Sequence, residues 1–290
     1  MVEAFYGTFL VDEVDSASKL DGAIIGAPFE DKCEFFEQGS DIAPEKIREN
    51  SAFFSGQGLS EQSIHKMNFV DFGNCCNENN QIENLARKVN LVLAKNALPI
   101  VLGGDHSIAL GTAQGIKQSK IKFDGIVWLD AHFDLMDEYP EGEKFTRATV
   151  LRRIIDLGII NPSNCYFIGV RGHNLGWEEV EFCKNNNMNY LNAQDTADPQ
   201  LRNKFLNNII SKHETLYVSL DIDVLDPAFA PGISVPEPGG ITSRELFEII
   251  TSLAKKTKCF DVVEVNPLKD LNDITAKIAC KSIFHLIDAL

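Results

Sequence analysis

Short apolar runs and amphipathic stretches alternate along this chain. Eight runs read as strands: 22–28, 67–72, 98–102, 125–130, 165–170, 188–191, 215–220 and 260–265. Several are continuously apolar, the pattern of strands buried on both faces of a parallel sheet. Between them, Ile82, Leu85, Ala86, Val89, Val92 and Leu93 recur at three- and four-residue spacing and give a helix one apolar face. Residues 201–210, 243–254 and 274–287 repeat that pattern, and Thr242 or Ser243 can cap the third of these four helices. Strands alternating with helices predict an α/β fold, a parallel sheet flanked by helices. No Pro/Gly/Ser linker, internal repeat or low-complexity segment divides the chain, so residues 1–290 read as a single domain.

Composition adds little to that fold and narrows the function. A net charge of −15 leaves no basic surface to neutralise phosphates and argues against nucleic acid. The charge fits bound metals or a cationic substrate, and a solvated acidic surface explains it equally well. The acidic N-terminus lacks a signal-peptide layout, and no apolar run reaches membrane-spanning length. Seven cysteines without a CxxC pair read as reduced thiols in a cytoplasmic protein.

Three segments carry the chemistry. They are Gly103-Gly104-Asp105-His106-Ser107, Asp130-Ala131-His132-Phe133-Asp134 and Asp221-Ile222-Asp223-Val224-Leu225-Asp226-Pro227. Each follows an apolar run, so each falls at the carboxyl end of a strand, where ligands bind in parallel sheets. In extended chain, spacing by two puts Asp130, His132 and Asp134 on one side, and likewise Asp221 and Asp223. Two imidazoles and four carboxylates (His106, His132, Asp130, Asp134, Asp221, Asp223) suit a pair of divalent ions. Mn²⁺ is the first choice, with Zn²⁺, Co²⁺, Ni²⁺ or Fe²⁺ possible. Two such ions about 3.5 Å apart generate hydroxide near neutral pH. Taken singly, a strand-end aspartate is usually a turn former. Asp226, before Pro227, reads that way, and Asp105 reads as a partner of the ligands rather than a ligand.

With these motifs the chain resembles the ureohydrolase family of arginase, agmatinase and guanidinobutyrase. The GGDHS, DAHxD and SxDxDxxDPxxxP signatures stand here at 103–107, 130–134 and 219–231. Further matches are Ile25-Gly26-Ala27-Pro28-Phe29 with Ala43-Pro44-Glu45-Lys46-Ile47-Arg48, and Ile168-Gly169-Val170-Arg171-Gly172. Val263-Glu264-Val265-Asn266-Pro267 matches too, and residues 236–242 look closest to the agmatinase branch. The resemblance implies an arginase-like three-layer fold with an eight-stranded parallel sheet. It also implies two Mn²⁺ ions and hydrolysis of a small-molecule guanidino substrate to urea and an amine. It puts His106, Asp130, Asp134 and Asp221 on one ion, and His132, Asp130, Asp221 and Asp223 on the other. Asp134 then orients the attacking hydroxide, and Glu264 pairs with the guanidinium. A homo-oligomer, trimer or hexamer, is expected, with no membrane or nucleic acid as partner.

One departure stands out. The family's guanidino hydrolases carry a His-Gly a dozen or so residues after DAHxD, and Arg147-Ala148 fill those positions here. Arginine does not titrate near neutral pH. Three readings follow: another group carries the proton, Arg147 binds an anionic group on the substrate, or Arg147 packs outward against an acidic surface. His173, just after the strand ending at Val170, is the histidine placed to substitute; a solvent-exposed rim is its ordinary reading. The acidic loop 134–143 borders the expected site mouth, as an attractor for a substrate amine or as a solvated loop. A different substrate class (another guanidino or a formimino compound), or a metal-binding homologue without turnover, remain the alternatives.

Overall fold

A computed structural model describes residues 4–12, 19–31, 33–59, 61–75, 80–172 and 175–290. Eight strands form one sheet: β1 (Gly22–Ala27), β2 (Phe69–Asn74), β3 (Leu98–Gly103), β4 (Gly125–Leu129), β5 (Cys165–Val170), β6 (Asn189–Asn192), β7 (Leu216–Asp221) and β8 (Thr257–Val263). Their order across the sheet is β2-β1-β3-β8-β7-β4-β5-β6, and neighbouring strands pair in parallel. Parallel pairing needs crossover connections, and helices supply most of them. They are α1 (Ala43–Ser51), α2 (Gln81–Ala94), α3 (Ala109–Gln118), α4 (Val150–Asp156), α5 (Trp177–Asn185), α6 (Ala193–Thr196), α7 (Pro199–Lys212), α8 (Ser243–Leu253) and α9 (Ile274–Asp288).

Side-chain alternation divides the core between the two faces of the sheet. Ile24, Ile100, Val127, Val218 and Phe260 point to the face covered by α1, α7, α8 and α9. Ile25, Val101, Trp128, Phe167 and Tyr217 point to the face covered by α2, α3, α4 and α5. Both faces are thus sealed, which accounts for the continuously apolar strands. The result is the three-layer arrangement expected from the sequence.

The differences have local causes. Strand β8 begins three residues earlier than its apolar run, because polar Thr257 and Lys258 hide its start, and it stops at Val263. Glu264 then turns left-handed at φ 64°. Helix α3 is poor in bulky apolar residues because its glycines let it press against α2. A Cβ at Gly115 would lie 2.6 Å from the Ala86 carbonyl oxygen. Thr242 provides the cap of α8, its Oγ1 accepting from the Glu245 N–H while Glu245 returns a bond to the Thr242 N–H.

Candidate metal centre

Strands β3, β8, β7 and β4 are consecutive in the sheet, and all four deliver polar side chains beyond their carboxyl ends. After β3 the chain turns through Gly104, where a Cβ would stand 2.1 Å from the Phe29 carbonyl oxygen. Only glycine fits that approach. Asp105 then caps a single turn, His106–Ile108, accepting from the Ser107 N–H. The imidazole of His106 lies flat against Trp128 of β4, ring centroids 4.1 Å apart.

His106 Nδ1 has three carboxylate oxygens around it: Asp130 Oδ2 at 3.1 Å, Asp134 Oδ2 at 3.0 Å and Asp221 Oδ2 at 3.1 Å. A single ring nitrogen cannot make three good hydrogen bonds. Donor atoms spaced by about 3 Å instead match the edge of an octahedron whose bonds are about 2.1 Å. A second group lies alongside: His132 Nδ1 is 3.3 Å from Asp130 Oδ1 and 3.0 Å from Asp223 Oδ2. Asp130 therefore faces both imidazoles, one oxygen to each. Its Oδ2 and that of Asp134 are buried without a hydrogen-bond partner, as inward-facing ligand atoms would be.

The electrostatics say the same. Asp134 is pushed up to about 7 by burial and by Asp130 beside it, and Asp221 is raised well above the usual carboxylate range by burial, Asp223 and Asp130. Burial works against a charged Asp130, but the two imidazoles outweigh it and hold its carboxyl low. Burial also opposes a charged His106, yet Asp130, Asp134 and Asp221 raise it well above its ordinary value. Carboxylates packed this closely need positive charge between them, from protons or from cations. The donor set, oxygen-rich with two imidazoles and no thiolate, fits divalent metal ions.

The side chains converge by a route other than strand alternation. Strand β4 ends at Leu129, one residue short of Asp130, and Asp134 turns left-handed at φ 53°. Asp221 ends β7 and caps the turn Ile222–Val224, its Oδ1 accepting from the Asp223 N–H at 2.8 Å. Similarly, Asp223 Oδ1 accepts from the Ala131 N–H and Asp130 Oδ1 from the His132 N–H. Asp221 and Asp223 thus each have one oxygen bonded to nearby backbone and another turned inward, while Asp130 Oδ1 takes the His132 N–H and also faces the His132 ring. The Asp134 turn is fixed from outside. Its carbonyl accepts from Leu151 and Arg152 at the start of α4, and Glu179 of α5 takes the Leu135 N–H.

Behind His106 lies a buried relay that the sequence reading missed. His106 Nε2 is 2.9 Å from Ser219 Oγ, and Ser219 donates to Asp261 Oδ1 at 2.5 Å. Tyr217 donates to the other Asp261 oxygen. With Ser219 giving its proton to Asp261, His106 donates from Nε2 and keeps the Nδ1 lone pair for the carboxylate side. The visible signal was polarity inside otherwise apolar strands: Ser219 and Asp261 are cross-strand partners in β7 and β8.

Glu264 is the one described non-glycine residue at positive φ that is neither Asn nor Asp. Left-handed backbone there costs on the order of 1–3 kcal/mol and persists only when its surroundings hold it. Its N–H donates to the Gly104 carbonyl, and its Oε1 accepts from the His106 N–H at 2.8 Å.

Its other oxygen, Oε2, receives Arg147 Nη1 at 3.0 Å. Arg147 points inward, so the outward-packing reading fails. Its Nη2 lies 3.1 Å from Asp105, its Nε donates to Asp31 at 3.2 Å, and its guanidinium lies over Phe36. Glu30 is 4.0 Å away. Asp105 is thus turned from the metal-type cluster toward Arg147. In the acidic loop, Asp137 pairs with Arg153 and Glu138 with Lys144. His173 lies outside the described residues. Of the remaining histidines, His213 is buried against the Tyr166 hydroxyl, His285 stacks on Phe247, and His65 is exposed.

The cluster forms the floor of a cavity of about 330 Å³. Glu264, Arg147 and Glu179 reach its lining, and Phe36, Met136, Tyr139, Leu175 and Val235 make the wall apolar. Both Glu179 oxygens accept backbone N–H groups, from Leu135 and Gly176.

A model of the arginase family matches residues 20–288. The chain is 32% identical to an agmatinase of Halalkalibacterium halodurans, over 98% of this chain and 97% of that one. Among solved structures, proclavaminate amidino hydrolase from Streptomyces clavuligerus superposes with a TM-score of 0.85 at 28% identity, over 100% of this chain and 98% of that one. Formimidoylglutamase from Bacillus subtilis superposes with the same TM-score, 0.85, at 25% identity, over 94% of this chain and 88% of its own.

Proposed function

The chain belongs to the arginase family, hydrolases of carbon–nitrogen bonds other than peptide bonds, and on that premise we propose that it hydrolyses a guanidino group to urea and an amine, in the manner of an agmatinase. The observation that carries this reading is Asp130, which turns Oδ2 to His106 and Oδ1 to His132. A carboxylate shared by two donor groups is what a binuclear centre requires, and the family is generally binuclear and metal dependent. On this reading His106, Asp130, Asp134 and Asp221 hold one Mn²⁺. His132, Asp130, Asp221 and Asp223 hold the other. When bound, the ions supply activated water near neutral pH.

The chain's own residues do the rest. Asp134, beside His106 at the cavity floor, would orient the attacking water. Glu264 receives the N–H groups of the substrate's planar amidino carbon; each of its oxygens has one protein donor and room for another. Arg147 holds Glu264 in place and cannot itself move a proton. His173 is proposed as the carrier of the proton that the leaving amine takes. The apolar wall receives an aliphatic tail and excludes water from the reacting carbon. A homo-oligomer, trimer or hexamer, and a cytoplasmic setting belong to the same proposal.

A second reading has its own support. The chain superposes on a formimidoylglutamase as well as on an amidino hydrolase, and Arg147 fills the position of the guanidino hydrolases' histidine, which together support a formimino substrate. A panel of agmatine, arginine, guanidinobutyrate, guanidinopropionate and guanidine, assayed for urea with Mn²⁺-loaded protein, separates the two. Urea from one compound, agmatine foremost, is the expected result. No urea from any of them, with formamide or ammonia released from a formimino compound, would overturn the guanidino reading.

A further inference from the structure

We propose that Arg171 is a positioning residue for the ion held by His132 and Asp223, and that the two ion positions are supported separately. The inference rests on the binuclear reading above. Arg171 follows β5, and its half-buried guanidinium donates to five main-chain carbonyls. Nη2 reaches Asp223 at 2.7 Å, Leu225 at 3.1 Å and Glu237 at 2.6 Å; Nη1 reaches Gly169 and Val224, each at 3.1 Å; Nε reaches Glu237 at 3.0 Å. Three consecutive carbonyls, from Asp223 to Leu225, are gathered by this one side chain.

That gathering has a purpose in the local geometry. The segment after β7 is a single turn, Ile222–Val224. One turn of this kind has few internal bonds, so the Ala131 N–H aims the Asp223 carboxylate while the Asp223 main chain is held from outside by Arg171. Asp223 must keep Oδ2 within 3.0 Å of His132 Nδ1. Arg171 also reaches the opposite side of the same ion position: its backbone N–H donates to the Ala131 carbonyl at 3.0 Å. Ala131 lies between Asp130 and His132. The residue therefore ties together both segments that bear the second ion's ligands. The first position has a different support, the Ser219–Asp261–Tyr217 relay behind His106, and none of those bonds involves Arg171.

Removing only the side chain separates the two positions. Partners of this kind typically contribute 10–100-fold in metal affinity. Calorimetric titration of metal-stripped protein with Mn²⁺ should find two ions on the wild type. In Arg171→Met the second should bind 10–100-fold more weakly and the first unchanged. The electron paramagnetic resonance spectrum of Mn²⁺-loaded protein should change from that of coupled ions to that of a single ion, a signature that general loosening would not produce. Arg171→Lys keeps the charge and stem should Arg171→Met fail to fold. An ammonium with three donors cannot span five carbonyls, so the same selective loss is expected. Two ions bound with wild-type affinity in the folded variants, or both lost together, would overturn the proposal. Fewer than two ions on the wild type would instead overturn the binuclear reading, and this inference with it.

Discussion

Asp130→Asn is expected to lose both ions and at least about 10³-fold in turnover, which corresponds to about 4 kcal/mol. Asp130 alone turns one oxygen to each imidazole. An amide keeps the shape but offers one oxygen ligand and no charge. Its NH₂ group would face one of the two positions and repel a cation there. The metal-free fold should lose stability as well. Asp130 is buried, yet His106 and His132 hold its carboxyl well below the usual carboxylate range, so its charge stabilises the fold above the unfolded pKa and neutralising it removes that contribution. Denaturant unfolding at neutral pH should therefore show stripped Asp130→Asn below stripped wild type. Metal content and urea release should fall together. Normal ion content in this variant would remove Asp130 from the bridging role.

Arg147→Met is expected to cost about 3–5 kcal/mol of stability, the range for breaking one side of a buried ion pair. The guanidinium is enclosed by Asp31, Asp105 and Glu264 in direct contact, with Glu30 at 4.0 Å. Burial already pushes Glu264 up to about 8 and Asp105 to about 6, against the pull of Arg147. Without that pull, two buried carboxyls lose their nearest counter-charge. Denaturant unfolding of metal-free protein measures the loss directly. The competing role, an anchor for an anionic substrate tail, predicts something else. Stability would change by less than about 1 kcal/mol, and KM would rise for guanidinobutyrate while agmatine was unaffected. Four acidic neighbours around one guanidinium favour the first outcome, because little positive potential is left for an anion.

These two residues show how far the sequence could be read. The strands were legible because both faces of the sheet are covered, so Ile100, Val127 and Val218 sit in continuous apolar runs. The six metal-type side chains were legible from their types and from their position after those runs. How they converge was not. Spacing by two suggested extended chain, whereas Asp134 turns left-handed and Asp223 sits on a short turn. Backbone N–H groups aim these carboxylates, and such bonds leave no trace in composition. Long-range pairs were hidden for a related reason. Arg147 and Glu264 lie 117 residues apart, so the partner that defines Arg147 appears only once the segment after β4 lies over the carboxyl ends of β3 and β8. Arg171 was visible within a family motif. Its work on carbonyls was not, because carbonyls are common to every residue. The α3 helix escaped notice because glycine, which weakens a helix on its own, is what lets it approach α2.

The central claim is that two ions share Asp130. Anomalous diffraction from crystals grown with Mn²⁺, recorded on both sides of the manganese edge, tests it most directly. The account predicts two peaks per chain, one beside His106 and Asp134, the other beside His132 and Asp223, with Asp130 reaching both. A single peak, or none within reach of Asp130, would contradict it.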